Sequence, residues 1–274
     1  MHEGVVGMPI IRVNGAALYY EEHGTGPETI VFAHGLLWSC RMFDAQVALL
    51  KERYRCVAFD FRGQGHSEVT RSGYDMETLY EDAAALIEHL GCAPCHFLGL
   101  SMGGFNGLRL AARHPELVRS LILLETSADP EPSENVAKYR QLTFVARWFG
   151  LGLVVDRVMP VMFGRTFLTD PVRAQERREW RGRMSGNHRS GVTRATTGVI
   201  TREGVYDEID RIRLPTLILV GDEDVAAPPV HSQRLHERIA GSRLEIIPHV
   251  GHTSTVEEPE AVNVAITNFL GSLS

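Results

Sequence analysis

Ser101 lies in the run Gly99-Leu100-Ser101-Met102-Gly103, a G-x-S-x-G pattern between the apolar stretch ending at Leu100 and a helix-like stretch to Arg113. A serine on a tight strand-to-helix turn stands clear only if its neighbours lack bulk, which the flanking glycines ensure. A hydroxyl is a weak nucleophile at neutral pH, so it needs a base, and the base needs an acid to orient it. Candidates follow in the order serine, acid, histidine. They are Asp222 and Asp224 in Gly221-Asp222-Glu223-Asp224, then His249 and His252 in Pro248-His249-Val250-Gly251-His252-Thr253. Each group comes just past an apolar run, where parallel sheets bind their ligands. Residue type and spacing leave open which acid and which histidine serve.

Acyl chemistry also needs hydrogen-bond donors for an oxyanion. The amide of Met102, next after the serine, is one. The loop His34-Gly35-Leu36-Leu37-Trp38, just after Thr29 to Ala33, offers the Leu36 amide as the other, with Gly35 letting the chain turn. Three further patterns carry no chemistry. Cys92-Ala93-Pro94-Cys95-His96 fits a C-x-x-C redox pair and a C-x-x-C-H haem attachment, yet it precedes the strand that ends at Ser101 and so falls at the opposite edge of the sheet. Gly63-Gln64-Gly65-His66-Ser67-Glu68 begins as a dinucleotide fingerprint but has Glu68 where the third glycine belongs. The 12 histidines are scattered, and His231 and His236 are read as solvated on a surface helix, so neither a metal nor another cofactor is expected.

The elements that must hold these residues are legible in outline. Thr29 to Ala33, Cys56 to Phe59, His96 to Leu100 and Leu121 to Leu124 read as buried strands. Met76 to Leu90 has helical spacing, with Asp75 placed to cap its start and Gly91 its end. Strand, helix, strand at this spacing implies right-handed crossovers and a largely parallel sheet. Asp129-Pro130-Glu131-Pro132 breaks the pattern, and the residues to Glu203 read as helices without a strand. Strands return at Thr216 to Val220 and Leu244 to Ile247, and Pro259 to Leu270 closes as a helix. A chain of 274 residues, 44% hydrophobic and 23% charged, suits one core with an insertion and excludes disorder. Its net charge of −6 argues against a nucleic-acid partner. No apolar run reaches the ~18–20 residues that cross a bilayer, Met1-His2-Glu3-Gly4 lacks signal-peptide character, and four cysteines make no disulfide framework. A cytoplasmic protein without membrane attachment is expected.

With these motifs in order, the sequence resembles the α/β-hydrolase superfamily over nearly its whole length. The pieces that carry the resemblance are His34-Gly35, the turn Asp60-Phe61-Arg62-Gly63-Gln64-Gly65-His66-Ser67, the elbow at Ser101, Gly221-x-x-Asp224, and Gly251-His252 with the closing helix. The resemblance implies an α/β-hydrolase fold: a mostly parallel central sheet flanked by helices, with an inserted helical cap. Residues 1–128 and 204–274 would form the core and 129–203 the cap. It puts the acid at the last position of G-x-x-D, Asp224, and the base at the histidine after glycine, His252. Asp222 and His249 are then neighbours without a catalytic part. Ser101 separates the chain from the dehalogenase and epoxide-hydrolase branches, which carry aspartate there. The likeness is greatest to the 3-oxoadipate enol-lactonase and small bacterial esterase group, including His252-Thr253-Ser254 ahead of Glu257-Glu258-Pro259.

The implied activity is cofactor-independent hydrolysis of a small-molecule carboxylic ester or lactone through an acyl-enzyme on Ser101. A carbon–carbon bond hydrolase, a perhydrolase and a catalytically silent binding protein of the same fold are the alternatives. The resemblance places a cap over the serine, so Trp148, Phe163 and Trp180, with His34 and Trp38 from the core, are expected to line the substrate pocket. The insertion carries 13 basic side chains against 8 acidic ones, while the rest of the chain is strongly acidic. That asymmetry would either draw an anionic substrate toward the site, through arginines such as Arg181 and Arg183, or mark only the solvated outer faces of cap helices.

Overall fold

The computed structural model describes residues 9–273, and the segment Met1-His2-Glu3-Gly4 lies outside them. Eight strands make one sheet: β1 (Ile10–Val13), β2 (Ala16–His23), β3 (Thr29–Ala33), β4 (Arg55–Phe59), β5 (Cys95–Leu100), β6 (Val118–Leu124), β7 (Thr216–Gly221) and β8 (Arg243–Ile247). Their spatial order is β1-β2-β4-β3-β5-β6-β7-β8. From β4 to β8 every neighbouring pair is parallel, while β1 and β2 run antiparallel at one edge. The six expected strands are thus joined by a hairpin that was not expected. Its turn is Asn14-Gly15, both at positive φ (45° and 75°), the backbone that a two-residue hairpin turn requires.

All residues of β3, β5 and β7 are buried, because helices cover both faces of the sheet. Helices α1 (Asp44–Leu50) and α11 (Pro259–Gly271) contribute to the core on one face. On the other lie α2 (Met76–His89), α3 (Met102–Arg113) and α9 (Pro229–Arg238). The Asp75 side chain accepts the Thr78 amide at 2.9 Å and so caps α2, and Gly91 follows its end at a φ of 59°. Between β6 and β7 the chain leaves the sheet and builds α4 (Ser133–Phe149), α5 (Val155–Met162), α6 (Arg165–Thr169), α7 (Ala174–Ser185) and α8 (Arg189–Ile200). A short α10 (Ser254–Glu257) precedes α11. Among the described residues no helix is long and apolar enough to cross a membrane.

The turn Asp60 to Ser67 is a buried polar scaffold. Asp60 accepts the amides of Cys40 (2.7 Å) and His66 (2.8 Å), tying the segment after β4 to the one after β3. Arg62 grips Asp82 of α2 with two bonds, Nε–Oδ2 at 2.7 Å and Nη2–Oδ1 at 2.5 Å, and also donates to the Asn14 carbonyl of the hairpin at 3.1 Å. Burial pushes the Asp82 carboxyl above its ordinary range and Arg62 pulls it back. Removing the cation leaves a buried carboxylate without its partner, so Arg62→Met should destabilise the fold by about 3–5 kcal/mol at neutral pH. Urea unfolding measures this. The loss should shrink at lower pH, where Asp82 can take a proton, and an unchanged midpoint at neutral pH would show that the pair contributes nothing.

Candidate active site

Strand β5 delivers Ser101 into a backbone conformation that side chains rarely adopt, φ 51° and ψ −110°. Such a residue stores on the order of 1–3 kcal/mol and persists only if its surroundings hold it. Here the Ser101 amide donates to Leu124 O (2.9 Å), its carbonyl accepts the Phe105 amide (2.9 Å), and Thr126 Oγ1 donates to the same carbonyl (2.9 Å). The crossing is tight. A Cβ on Gly103 would lie 1.9 Å from Ala33 O, and one on Gly99 would lie 2.4 Å from Gly103 O. The two glycines are therefore steric requirements of the turn. Met102 opens α3, so its amide is one of the helix donors with no intrahelical acceptor, at the positive end of the helix dipole.

The base loop follows β8 and the acid loop follows β7. His252 Nδ1 lies 2.9 and 3.0 Å from the two Asp224 oxygens, and both side chains are buried. A carboxylate accepts only, so Nδ1 carries the proton and Nε2 is left as the basic nitrogen. Asp224 is itself held, with Oδ1 accepting the Ala226 and Ala227 amides at 2.8 and 3.0 Å. Asp222 is occupied elsewhere, accepting the His249 amide at 2.6 Å beside a positive-φ residue. Geometry therefore pairs Asp224 with His252, and Asp222 and His249 with one another.

On the other side of Ser101, the loop after β3 is braced from within and without. His34 is fully buried; Nδ1 donates to Gly35 O (2.7 Å) and Nε2 accepts the Phe61 amide (3.0 Å). Both roles require a neutral imidazole, and burial lowers its pKa accordingly, with Asp60 opposing. Leu37 sits at a φ of 74°, with its amide on Gln64 Oε1 and its carbonyl on Asn187 Nδ2 of the insertion, both at 2.7 Å. Leu36 borders the same cavity as Ser101 and His252.

That cavity, about 140 Å³, runs between the sheet's carboxyl end and the insertion. Its walls are Leu142 and Ala146 of α4, Val158 and Met162 of α5, and Val192 and Val199 of α8. Three wall threonines add no polarity, because Thr143, Thr193 and Thr196 donate to carbonyls four residues back in their own helices. The one arginine on its wall, Arg202, is buried against Glu131 at 2.6 Å and lies 4.2 Å over the Phe105 ring. Tyr139 lines it too, its hydroxyl pushed up to about 12 by burial and then by Glu131.

The expected pocket residues fall differently. Trp148 is 63% exposed on the outside of α4. Phe163 is buried, stacked on Phe167 at 4.6 Å and edge-on to Trp38 at 5.7 Å. Trp38 and Trp180 meet edge-on at 5.3 Å beside a separate surface cleft, and His34 lies beneath the loop. None of the five lines the cavity at Ser101. Large aromatic side chains join the insertion to the core, and smaller aliphatic ones face the serine. Neither Arg181 nor Arg183 lines that cavity. Arg181 is paired with exposed Asp156 at 2.6 Å, and Arg183 lies 4.5 Å over the Trp180 ring. His231, read as solvated, instead borders the cavity with Nδ1 3.1 Å from Asp129.

Two buried acids were invisible in the sequence. Glu125, at the end of β6, is fully buried at a φ of 45°, accepts Ser254 Oγ at 3.0 Å, and is held well above the ordinary carboxyl range by burial and by Asp224. Glu257 is raised to about 7 by burial, against the pull of three backbone amides. Solvated glutamates and buried ones look alike in a sequence, and only the Glu257-Glu258-Pro259 likeness hinted at a role. All four cysteines are free and buried, and burial pushes the Cys92 thiol up to about 11. Among the described residues no three His, Cys, Asp or Glu side chains are grouped to hold a metal.

Comparison with known proteins agrees with this fold. The enol-lactonase from Burkholderia xenovorans LB400 matches with a TM-score of 0.89 at 28% identity, over 96% of this chain and all of that one. A thermophilic esterase from Thermogutta terrifontis matches with a TM-score of 0.87 at 29% identity, over 94% of each chain. A relative from Caulobacter sp. (strain K31), named for carbamate hydrolysis (RutD), is 29% identical over 92% of this chain and 95% of its own. The profile of the alpha/beta hydrolase family matches residues 30–265, and the chain belongs to that family.

Proposed function

We propose that the protein is a serine hydrolase of neutral carboxylic esters or lactones, working without a cofactor through an acyl-enzyme on Ser101. One observation carries the reading. Ser101, held at positive φ, shares an apolar cavity with a histidine whose other nitrogen is bonded to a buried aspartate. His252 Nε2 takes the hydroxyl proton as Ser101 attacks the carbonyl, and returns it to the leaving alcohol. It then activates water against the acyl-enzyme. Asp224 holds the imidazole and supports the cation that forms. The Leu36 and Met102 amides receive the oxyanion. Helices α4, α5 and α8 act as the cap over the acyl group. Its walls offer no uncommitted cation, so the anionic-substrate alternative gives way to a neutral one.

Three measurements test this. A phosphonate probe should label the tryptic peptide containing Ser101, and Ser101→Ala should abolish both label and turnover; an adduct elsewhere refutes the assignment. Asp224→Asn should cost roughly 10⁴-fold in kcat, because it upsets the histidine tautomer and leaves the imidazolium unsupported. Asp222→Asn should cost far less, and the reverse ranking would exchange their roles. A cavity near the roughly 150 Å³ that admits benzene suits a short acyl chain. Chromogenic esters from acetyl to about hexanoyl should gain up to about fourfold in kcat/KM per methylene, from ~0.8 kcal/mol of burial each. A carboxylate-bearing isostere should be slower at every ionic strength, and the opposite result would return the cap arginines to the site.

A further inference from the structure

The loop that carries His252 is bound to the cap as well as to the strand ends. Glu257 Oε2 accepts the amides of Gly251 (3.0 Å) and of Gly164 in the α5–α6 connection (2.8 Å), and Oε1 accepts the Thr253 amide (3.1 Å). One buried carboxylate therefore takes the amides on both sides of His252 together with one from the cap. Thr253 Oγ1 adds a bond of 2.6 Å to the carbonyl of Met162, whose residue borders the cavity at Ser101. The two backbones touch, since a Cβ on Gly251 would fall 2.0 Å from Gly164 N. The acid loop is tied to the same stretch, with Glu223 accepting Thr166 N and Thr166 Oγ1 at 2.7 Å each.

We propose that Glu257 is a positioning residue for the base: its ionised carboxylate fixes the His252 loop against the Met162–Gly164 segment, whose Met162 borders the substrate pocket. The inference rests on the hydrolase reading above. Its physical basis is the directionality of hydrogen bonds. An ionised carboxylate can accept all three amides, whereas a protonated one turns an O–H toward at least one N–H and loses that bond. A loosened loop lets the imidazole drift from the serine, and such drift lowers turnover more than it lowers substrate binding.

The groups around Glu257 make that protonation accessible. Asp224 from the acid loop opposes its charge, the Glu257 charge acts in turn on Glu125 at the end of β6, and Glu223 converges with Glu257 on Gly164. The facing side chain on the base loop is His252. The cation on the cap side, Arg173, is spent on the carbonyls of Val256 (3.0 Å) and Glu257 (2.5 Å). Burial first, and the Asp224 charge behind it, raise Glu257 to about 7. The clamp is formed above that pH and released below it. General-base catalysis needs a proton lost from the base as well, so the clamp adds a second proton to the acid limb.

The test compares full-length wild type with Glu257→Gln on one chromogenic ester, following kcat and KM from pH 5 to 9, with folding checked by thermal melting. Wild type should show an acid limb in log kcat steeper than one proton. Glu257→Gln should lower kcat by about ten- to hundredfold at high pH, with KM nearly unchanged, and reduce the limb to one proton. Wild-type kcat and an unaltered limb in the variant would overturn the proposal. So would a lowered kcat with the steep limb intact, which marks a merely structural role. If the variant fails to fold, the wild-type limb decides, with a single-proton slope against the proposal and a steeper one for it. Phosphonate labelling of wild type separates the two layers. No adduct at Ser101 removes the hydrolase reading and this inference with it, whereas labelled wild type with an indifferent Glu257→Gln removes the inference alone.

Discussion

The structure depends on one close approach, the passage of Gly103 across the carbonyl of Ala33. At that crossing there is no room for a β-carbon, so the chain turns from β5 into α3 within a single residue, and that residue, Ser101, takes up the strain. Everything that could act on it must then come from neighbouring strand ends. The loop after β3 lies on one side, and Glu125 and Asp224, after β6 and β7, lie on the other. A parallel sheet puts all these carboxyl ends at one edge, which is why residues far apart in the chain converge there.

Holding the edge together is largely the task of buried polar groups. Asp60 joins the segments after β3 and β4; Gln64 from the same turn fixes Leu37 at its positive φ, and Asn187 fixes it from above. Each bond satisfies a backbone group that would otherwise be buried without a partner, at a cost of about 1–3 kcal/mol. The turn Asp60 to Ser67 thus serves the site from behind, through Gln64 on Leu37 and Met102, and its residues are read better as a brace than as chemistry.

The six parallel strands and the order serine, acid, histidine were legible because they rest on local rules: short apolar runs, glycines where bulk is forbidden, polar residues past strand ends. The choice of Asp224 and His252 over Asp222 and His249 came from the family resemblance alone. What failed was any inference that needed a helix's orientation. α4 carries apolar residues around its circumference, so nothing in its sequence says that Tyr139, Leu142 and Ala146 face inward while Phe144 and Trp148 face solvent. Side-chain size was a poor guide for a physical reason. Flat aromatic rings bury the most area where two layers meet, which is how Trp38, Phe163 and Trp180 are used. The Asn14-Gly15 hairpin, by contrast, carried a readable signal in its turn residues.

The same layering bears on how the cap can move. Its α5–α6 connection is joined to the base loop by backbone contact and by Glu257, and to the acid loop by Glu223, so this end is anchored to the loops that carry His252 and Asp224. At its other end, by the Asp129–Pro132 linker, Arg202 pairs with Glu131 and His231 with Asp129, and the Val205 amide bonds to Ala128 O. The Gly164–Gly251 contact cannot open without carrying His252 along. Helix α8 is held to the core just as closely, since a Cβ on Gly191 would fall 1.8 Å from Gly63 O and one on Gly198 1.8 Å from Tyr74 O, so backbone contact fixes the insertion over the cavity from two sides.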